Sequence, residues 1–287
     1  MNDTTLCNVC EQPGEFETAA ETGRIRCNVR RFGSEAFTIW RCPNCRSLHC
    51  KEAVDLDPYY AGYPMRMQKA DFATSRAFDN RLRLHLRYGL KPTHSVLDYG
   101  SGTSLFVAHL VRKGFDAVGY DPYVPSAADQ TTLARKFDVI TTQDVIEHVA
   151  DPTALLVELS GRLEPGGLLF VGTPNASEIE ITEEYSMELH PPYHRHILSE
   201  TALDQLSRKV GFEPIGLHRR FYYDTLIPTV NTQFIRRYVR KAGGFLDAGF
   251  EEPRVGLVLG SPELIFYGFF GYFLRARGNM LAVFRKT

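Results

Sequence analysis

The amino-acid sequence predicts an α/β fold, built on a doubly wound and mostly parallel sheet with a small cysteine-rich segment in front of it. From residue 91 onward, short apolar runs alternate with stretches of helical spacing, the pattern of βα units that build a parallel sheet. All six cysteines lie within the first fifty residues. The 287 residues leave room for one such domain and a short appendage.

Composition excludes several classes of protein. The chain has 33 Lys+Arg and 34 Asp+Glu, so nucleic acid is an unlikely partner for the chain as a whole. A hydrophobic fraction of 44% excludes a disordered chain. The N-terminus lacks the basic and apolar pattern of a secretory signal, and this predicts a cytoplasmic protein. The longest strongly apolar run, residues 264–274, is too short for a transmembrane helix.

The chain divides into three predicted parts. Residues 1–54 form a segment like a zinc ribbon, and residues 55–90 form a linker followed by a helix from Met65 to Tyr88. Residues 91–287 form the main domain, with an aromatic-rich insertion at about 221–275 that should cap the pocket of a second substrate. Asp151 and Pro152 have the residue types of an N-cap and first helical position. The predicted strands are 95–98, 117–121, 137–141, 168–172, 214–218 and 279–284, and the predicted helices are 106–112, one from 152, and 199–210.

A glycine-rich turn follows the first predicted strand of the main domain, in the sequence Asp98-Tyr-Gly100-Ser-Gly102. Glycines at this sheet edge allow close approach of a nucleotide-like ligand. A dinucleotide motif needs a third glycine where this chain has Leu105, and no phosphate-loop lysine is present. An acid at the strand end suits a cationic ligand such as S-adenosylmethionine, and Asp121 lies at the offset of an acid that binds ribose hydroxyls.

Four motifs in order, at residues 96–102, 119–122, 137–152 and 163–175, resemble the class I S-adenosylmethionine-dependent methyltransferases. The core resembles the methyltransferase-23 and ubiquinone O-methyltransferase families, which implies a Rossmann-like sheet. The resemblance also implies cofactor contacts, with the methionine end at Asp98, Tyr99, Gly100 and Gly102, the ribose at Asp121, and Gln143 beside the cofactor. Only fifteen residues separate Asp121 from Phe137, so no residue is assigned to the adenine.

Two Cys-x-x-Cys pairs predict a metal site in the first segment. Cys7 and Cys10 precede Cys42 and Cys45 by 31 residues, and four thiolates form a closed tetrahedral site for structural Zn²⁺. Cys27 is expected outside the metal shell, while His49 and Cys50 are alternatives for one ligand. Methyltransferases with such a segment resemble those that act on sugars and bacterial surface glycans, including sugar C-methyltransferases.

Candidate catalytic residues follow the predicted strand 137–141. Asp144, Glu147 and His148 have helical spacing, and the later segment His190-Pro-Pro-Tyr-His194-Arg-His196 should reach the same sheet edge. One interpretation makes His194 or His148 a general base beside Glu147. A second places a divalent metal on Asp144, Glu147, His148 and His194, as the resemblance to ubiquinone and small-RNA methyltransferases implies. In a third, these side chains only shape the pocket.

The sequence therefore predicts a methyltransferase that most plausibly modifies a hydroxyl of a sugar, a glycan or another small metabolite. A nucleotide-sugar C-methyltransferase is the alternative within enzymes. From another class, a zinc-ribbon nucleic-acid-binding protein with a cofactor-sensing domain is the alternative. The apolar run 264–274 follows a basic stretch, Arg236, Arg237, Arg240 and Lys241, a pattern compatible with peripheral membrane contact, a core helix or a dimer face.

Overall fold

A computed structural model describes residues 3–10, 14–61, 63–64 and 68–287. Its larger sheet has six strands in the order β5-β4-β6-β7-β10-β9. Strands β5, β4, β6 and β7 are parallel, whereas β10 runs antiparallel to both β7 and β9. The predicted doubly wound, mostly parallel sheet is confirmed. The strands are β4 (Ser95–Tyr99), β5 (Asp116–Tyr120), β6 (Phe137–Gln143), β7 (Leu163–Pro174), β9 (Phe212–His218) and β10 (Asn279–Lys286).

Helices cover this sheet, and α2, α4 and α6, whose bounds are given below, begin at side-chain caps. Asp151 accepts hydrogen bonds from Thr153 and Ala154, with Pro152 as the first helical residue, as predicted. Asp71 caps the helix that was predicted to begin at Met65, so that helix begins later, at Phe72. Residues 65–67 of this prediction lie outside the described residues. The helices are α2 (Phe72–Arg87), α3 (Leu105–Arg112), α4 (Pro152–Arg162) and α6 (Glu200–Lys209).

A second, antiparallel sheet joins the cysteine-rich segment to the main domain. Its order is β1-β2-β3-β8, with β1 (Glu21–Arg26), β2 (Ala36–Arg41), β3 (Leu48–Cys50) and β8 (His196–Ile197). Strand β8 comes from the predicted main domain, so this sheet crosses the sequence boundary at residue 54. Buried side chains from both parts form one core, including Ile39 and Leu48 on one side and Leu189, Tyr193 and Ile197 on the other.

The predicted linker and insertion are both structured where the model describes them. Residues of the linker form α1 (Asp57–Tyr60), and the side chain of Tyr59 is buried. The insertion contains α7 (Thr232–Lys241), α8 (Val255–Leu259) and α9 (Pro262–Phe270), which share a small core. A short helix, α5 (Ser186–Leu189), precedes β8. Among the described residues, no helix has the length and apolar character needed to cross a membrane.

The shared core leads to a prediction about unfolding. Replacing the buried Leu48 by Ala should lower the free energy of unfolding by about 2–5 kcal/mol, because a cavity forms in the core that the cysteine-rich segment shares with residues 176–197. Chemical denaturation followed by tryptophan fluorescence, with Trp40 buried in β2, should still show one transition. The exposed Val157→Ala is the control and should change stability by no more than about 0.5 kcal/mol. A separate early transition of the cysteine-rich segment would contradict the shared core.

Candidate functional site

The glycine turn after β4 lies at the edge of the sheet where the parallel strands end. Gly100 and Gly102 have φ values of 78° and 51°, in the left-handed region that favours glycine. A Cβ on Gly100 would lie 2.2 Å from Val145 in the turn after β6, whereas one on Gly102 would meet nothing within 4 Å. Gly100 therefore permits close packing of two turns, and Gly102 borders open space.

Asp121 fixes the neighbouring turn after β5. One carboxylate oxygen accepts the Gly102 amide at 2.9 Å, and the other accepts the Tyr123 amide at 2.9 Å. Asp121 is half-buried, and it stands beside the glycine turn because β4 and β5 are paired in register. This is the place that the sequence assigns to a ribose-binding acid.

Asp98 has a partner that the sequence analysis missed. Arg81 of α2 donates to the Asp98 carboxylate at 3.0 Å and to the Thr141 hydroxyl at 2.8 Å, and both charged side chains are buried. Burial raises the pKa of Asp98, and the adjacent guanidinium opposes this rise. Arg81 Nε is buried and has no hydrogen-bond partner in the part of the chain that the structure describes. The signal was present in the sequence, because position 81 lies on the apolar face of α2 with Ala77 and Phe78.

The other two predicted cofactor residues, Gln143 and Tyr99, lie in different parts of the structure. Gln143 ends β6, donates to the Asp144 carboxylate at 3.0 Å, and lies over Gly172, where a Cβ would collide with it. Its side chain therefore lies at the sheet edge. The hydroxyl of Tyr99 instead donates to Glu158 of α4 at 3.1 Å, so its side chain packs on the helix layer.

Three of the four predicted catalytic or metal-binding side chains converge. One ligand-capable atom from each of Glu147, His148 and His194 lies within 4.8 Å of the others. Asp144 is not a member of this group among the described residues. Residues 144–148 form a turn rather than the predicted helix start, and Asp144 has a φ of 55°. The turn redirects Asp144, and this is why helical spacing misplaced it.

Backbone carbonyls orient the two histidines. His148 Nδ1 donates to the carbonyl of Tyr193 at 3.0 Å, and His194 Nδ1 donates to the carbonyl of Glu188 at 2.7 Å. Each Nδ1 therefore carries the proton, which leaves Nε2 as the available lone pair. Such second interactions are typical of histidines that ligate metals.

The carboxylate of Glu147 faces these histidines. One oxygen accepts the Thr173 hydroxyl at 2.9 Å. The other is buried, has no hydrogen-bond partner among the described residues, and lies 3.9 Å from His194 Nε2. Burial and the neighbouring Asp144 raise the pKa of Glu147 well above its usual range. Burial lowers the pKa of His148 to about 4 and that of His194 well below its usual range. Two imidazole lone pairs and a carboxylate in a buried site are a donor set that fits a divalent cation.

Aromatic residues from the predicted linker cover this cluster, which the sequence analysis did not foresee. The Tyr60 hydroxyl lies 3.0 Å from His148 Nδ1, and its ring stacks on Tyr123 beside Asp121, with centroids 5.5 Å apart. Tyr63 shares a 3.0 Å hydrogen bond with His190. The other nitrogen of His190 contacts Asn28, so His190 is engaged outside the cluster.

The cysteine-rich segment forms hydrogen bonds with the residues that flank the cluster. The amides of Arg195 and His196 donate to the carbonyl of Glu147 at 2.8 and 3.2 Å, and Arg195 accepts the Cys50 amide at 3.0 Å. Asn8, between the first two cysteines, donates to the carbonyl of Ala150 at 2.7 Å and contacts His196. Residues 190–196 are therefore attached both to the cysteine-rich sheet and to the turn after β6.

The four predicted zinc-ligating cysteines also converge. Three of their Sγ–Sγ distances, Cys7–Cys45, Cys7–Cys10 and Cys10–Cys42, are 3.7, 3.7 and 3.8 Å. Tetrahedral zinc with bonds of about 2.3 Å places its sulfur ligands about 3.8 Å apart, so the cluster fits zinc. A hydrogen bond from Cys7 lowers the pKa of Cys45 to about 5.

The alternative ligands lie elsewhere. Within the described ranges, Cys27, His49 and Cys50 are not part of the four-cysteine group. His49 shares a 2.9 Å hydrogen bond with His196 and stacks on Trp40. Burial raises the pKa of Cys27 to about 11 and that of Cys50 to about 12, which keeps both thiols protonated. The expectation that Cys27 lies outside agrees with the geometry, whereas His49 and Cys50 are excluded as ligands.

Comparison with known proteins agrees with this geometry. A family model described as a methyltransferase domain matches residues 68–217, more than half of the chain. The chain belongs to this methyltransferase family. It is thus a class I S-adenosylmethionine-dependent methyltransferase by family, and its Rossmann-like sheet is the one expected for that class.

Two curated relatives are ubiquinone biosynthesis O-methyltransferases. The protein of Caulobacter sp. (strain K31) is 29% identical over 153 residues, covering 44% of this chain and 61% of the relative. The Bradyrhizobium diazoefficiens protein is 30% identical over 185 residues, covering 57% and 65%. This chain therefore spans about three fifths of the first relative's length.

A solved structure has the same fold. One chain of the complex between the Haloferax volcanii Trm112 methyltransferase activator and a methyltransferase aligns with a TM-score of 0.51 and 14% identity, over 81% of this chain and 97% of that chain. The relationship concerns the fold alone.

The contacts of Asn8 lead to a prediction about the methyltransferase site. Asn8→Ala should speed hydrogen exchange of the Arg195 and His196 amides by about five- to tenfold. The reason is the loss of a hydrogen bond, worth about 1 kcal/mol, between the cysteine-rich segment and the carbonyl of Ala150. Mass-spectrometric exchange of peptides covering 190–197 measures this. Leu6→Ala, at an exposed side chain of the same segment, is the control. Equal exchange rates in both variants would show that Asn8 of the cysteine-rich segment does not stabilise residues 190–196.

Proposed function

We propose that this methyltransferase transfers the methyl group of S-adenosylmethionine to a hydroxyl of a small acceptor. The observation that carries the proposal is the convergence of Glu147, His148 and His194 in and beside a turn that packs directly on the glycine loop through Val145. A proton acceptor or metal site is thereby placed next to the expected cofactor site. The O-methyltransferase names of the relatives support oxygen as the methylated atom.

A sugar or glycan hydroxyl is the acceptor that we infer. This finer assignment rests on the resemblance of the cysteine-rich segment to those of methyltransferases acting on sugars and surface glycans. The surroundings of the cluster are compatible with it, because Tyr60, Tyr63 and Tyr123 offer aromatic faces and hydroxyls to a polar ring.

The residues at the glycine loop suit S-adenosylmethionine. When bound, this cofactor supplies an electrophilic methyl group on a sulfonium. Asp121 would accept the ribose hydroxyls, and Asp98 would face the cationic methionine end. The unpartnered Nε of the buried Arg81 is a donor suited to the methionine carboxylate. Arg81 also keeps Asp98 paired, which limits the cost of a buried carboxylate.

A divalent cation fits the cluster of Glu147, His148 and His194. The unpartnered buried oxygen of Glu147 and the two oriented imidazoles are the observations that support it. When bound, such a cation lowers the pKa of a hydroxyl that contacts it. The chain's own contribution is to fix both imidazole tautomers through the carbonyls of Tyr193 and Glu188, and to shield the cluster with Tyr60.

The reaction is tested with isotopically labelled S-adenosylmethionine. Purified protein is incubated with cell extract and the labelled cofactor, and mass spectrometry identifies the products. Label in an O-methyl group of a sugar, glycan or small metabolite is expected. Label on carbon would favour the nucleotide-sugar C-methyltransferase, and cofactor binding with no labelled product would contradict the proposed transfer.

Substitution of His194 tests the cluster. His194→Ala should leave cofactor affinity within about twofold by calorimetry but reduce turnover at least about a hundredfold, because the acceptor hydroxyl loses the group that promotes its deprotonation. His94→Ala, outside the cluster, is the control. Unchanged turnover would remove His194 from the mechanism.

Metal binding separates the two roles of the cluster. Electron paramagnetic resonance with Mn²⁺ should show binding to the chelator-treated protein that His194→Ala weakens at least about tenfold. Mn²⁺ affinity equal in both proteins, together with chelator-resistant turnover, would leave the histidine as a base without metal.

We also propose that Cys7, Cys10, Cys42 and Cys45 bind one structural Zn²⁺. Elemental analysis of the purified chain should give about one zinc per molecule, and Cys42→Ser should lose it and unfold at a lower temperature, because the segment depends on its metal. Cys27→Ser is the matched control, since that buried thiol lies outside the group. Full zinc content in Cys42→Ser would refute the assignment.

A further inference from the structure

The outer face of α9 and the turn that follows it is apolar and exposed. Phe266, Phe269, Phe270 and Phe273 are 49, 61, 53 and 67% exposed. Their spacing of three, four and seven residues is that of one helix face. At about 200 Å² for each side chain, these rings expose roughly 450 Å², within the range of about 300–600 Å² of the largest apolar patch on an ordinary monomer.

Other apolar side chains of α8, α9 and the following turn are also exposed, whereas the inner face of α9 is packed. Leu264 and Gly268 are buried against the small core that includes Phe234. The outer rings therefore do not belong to that core. We call the whole exposed surface the cap face, which consists of Val255, Leu259, Ile265, Phe266, Phe269, Phe270, Phe273 and Leu274.

Basic side chains lie at the N-terminal end of α9. Glu263 is within ion-pair distance of Arg237 at 3.2 Å, Arg240 at 3.6 Å and Lys241 at 3.1 Å. One carboxylate therefore faces three cations and leaves an excess of two positive charges. Arg240 is exposed, and its side chain retains 56% of its accessible surface.

Basic side chains also lie at the other end of the cap face. The guanidinium of Arg220 donates to the carbonyl of Tyr272 at 3.0 Å and lies over its ring. Arg275 and Arg277 follow Leu274 directly and are exposed, and Glu178 contacts Arg275. Three arginines thus lie at this end of the apolar surface, and Glu178 pairs with one of them.

We propose that the cap face docks on the surface of a bilayer that contains anionic lipid. Phenylalanine and leucine side chains would enter the boundary between headgroups and acyl chains, and the flanking cations would contact anionic headgroups. A second copy of the chain is a poorer occupant, because a two-fold interface would bring the same basic ends together. The proposal does not depend on the identity of the methyl acceptor.

Vesicle flotation of the full chain tests the proposal. Binding to vesicles of phosphatidylcholine mixed with phosphatidylglycerol should be at least about tenfold stronger than to phosphatidylcholine alone, and should weaken with added salt. Absence of binding to the mixed vesicles at low salt would overturn the proposal.

Two variants assign the binding to the cap face. Phe266→Ser combined with Phe269→Ser should lower binding to both kinds of vesicle at least about tenfold. Phe72→Ser is the matched control, because that ring is 72% exposed on a different helix. Arg240→Gln and Lys241→Gln leave the apolar surface intact and should each weaken binding to the mixed vesicles roughly fivefold at low salt.

Further measurements make the outcomes distinct. Circular dichroism checks that each variant is folded, and if the double phenylalanine variant is not, the two charge variants decide the question. Vesicle binding unchanged by these variants overturns the proposal. So does a wild-type dimer in sedimentation velocity that the double variant dissociates, if no vesicle binding accompanies it. Unchanged methyl transfer to a water-soluble acceptor in the variants separates this result from a failure of the proposed function.

Discussion

The candidate site depends on the hydrogen bonds that the backbone carbonyl of Glu147 accepts. This carbonyl accepts two amides, those of Arg195 and His196, and so ties the turn after β6 to the segment that carries His194. The same segment pairs with β3 of the cysteine-rich part, where Leu48 is opposite Ile197 and His49 is opposite His196. A cluster of residues distant in sequence thereby gains a fixed geometry from backbone hydrogen bonds rather than from side chains alone.

Burial of the ionisable side chains around Glu147 has an electrostatic cost, and this cost accounts for the residue types found there. Asp144 and Glu147 are buried close together, and burial raises the pKa of Asp144 to about 6. Glu147 is disfavoured as an anion for the same reason, and the adjacent carboxylate adds to the effect. The two histidines are in turn held neutral by burial. A bound dication would relieve this arrangement, since it favours the carboxylate anion and needs the neutral imidazole.

Local sequence patterns predicted the strands of the larger sheet and the glycine turn at its carboxyl edge well. Short apolar runs marked β4, β5 and β6 because parallel strands are buried on both faces, and the glycines and Asp121 stand where strand ends require them. The four cysteines were predictable from their spacing. Tyr60 and strand β8 were not, because each acts through partners distant in the chain. Arg81 was missed although its place on the apolar face of α2 marked it. The turn at Asp144 was missed because helical spacing says nothing about a positive φ.

Three structural additions to the larger sheet contact the segment of residues 186–197, which carries His194. The cysteine-rich sheet pairs with this segment through β3 and β8, the residues around α1 bring Tyr60 to His148 and Tyr63 to His190, and Arg236 of the insertion donates to Glu188 at 2.9 Å. Two of these three precede the methyltransferase motifs in sequence. The candidate site is therefore held in place by residues that precede and follow the methyltransferase motifs in sequence, whereas the glycine loop and Asp121 lie within those motifs.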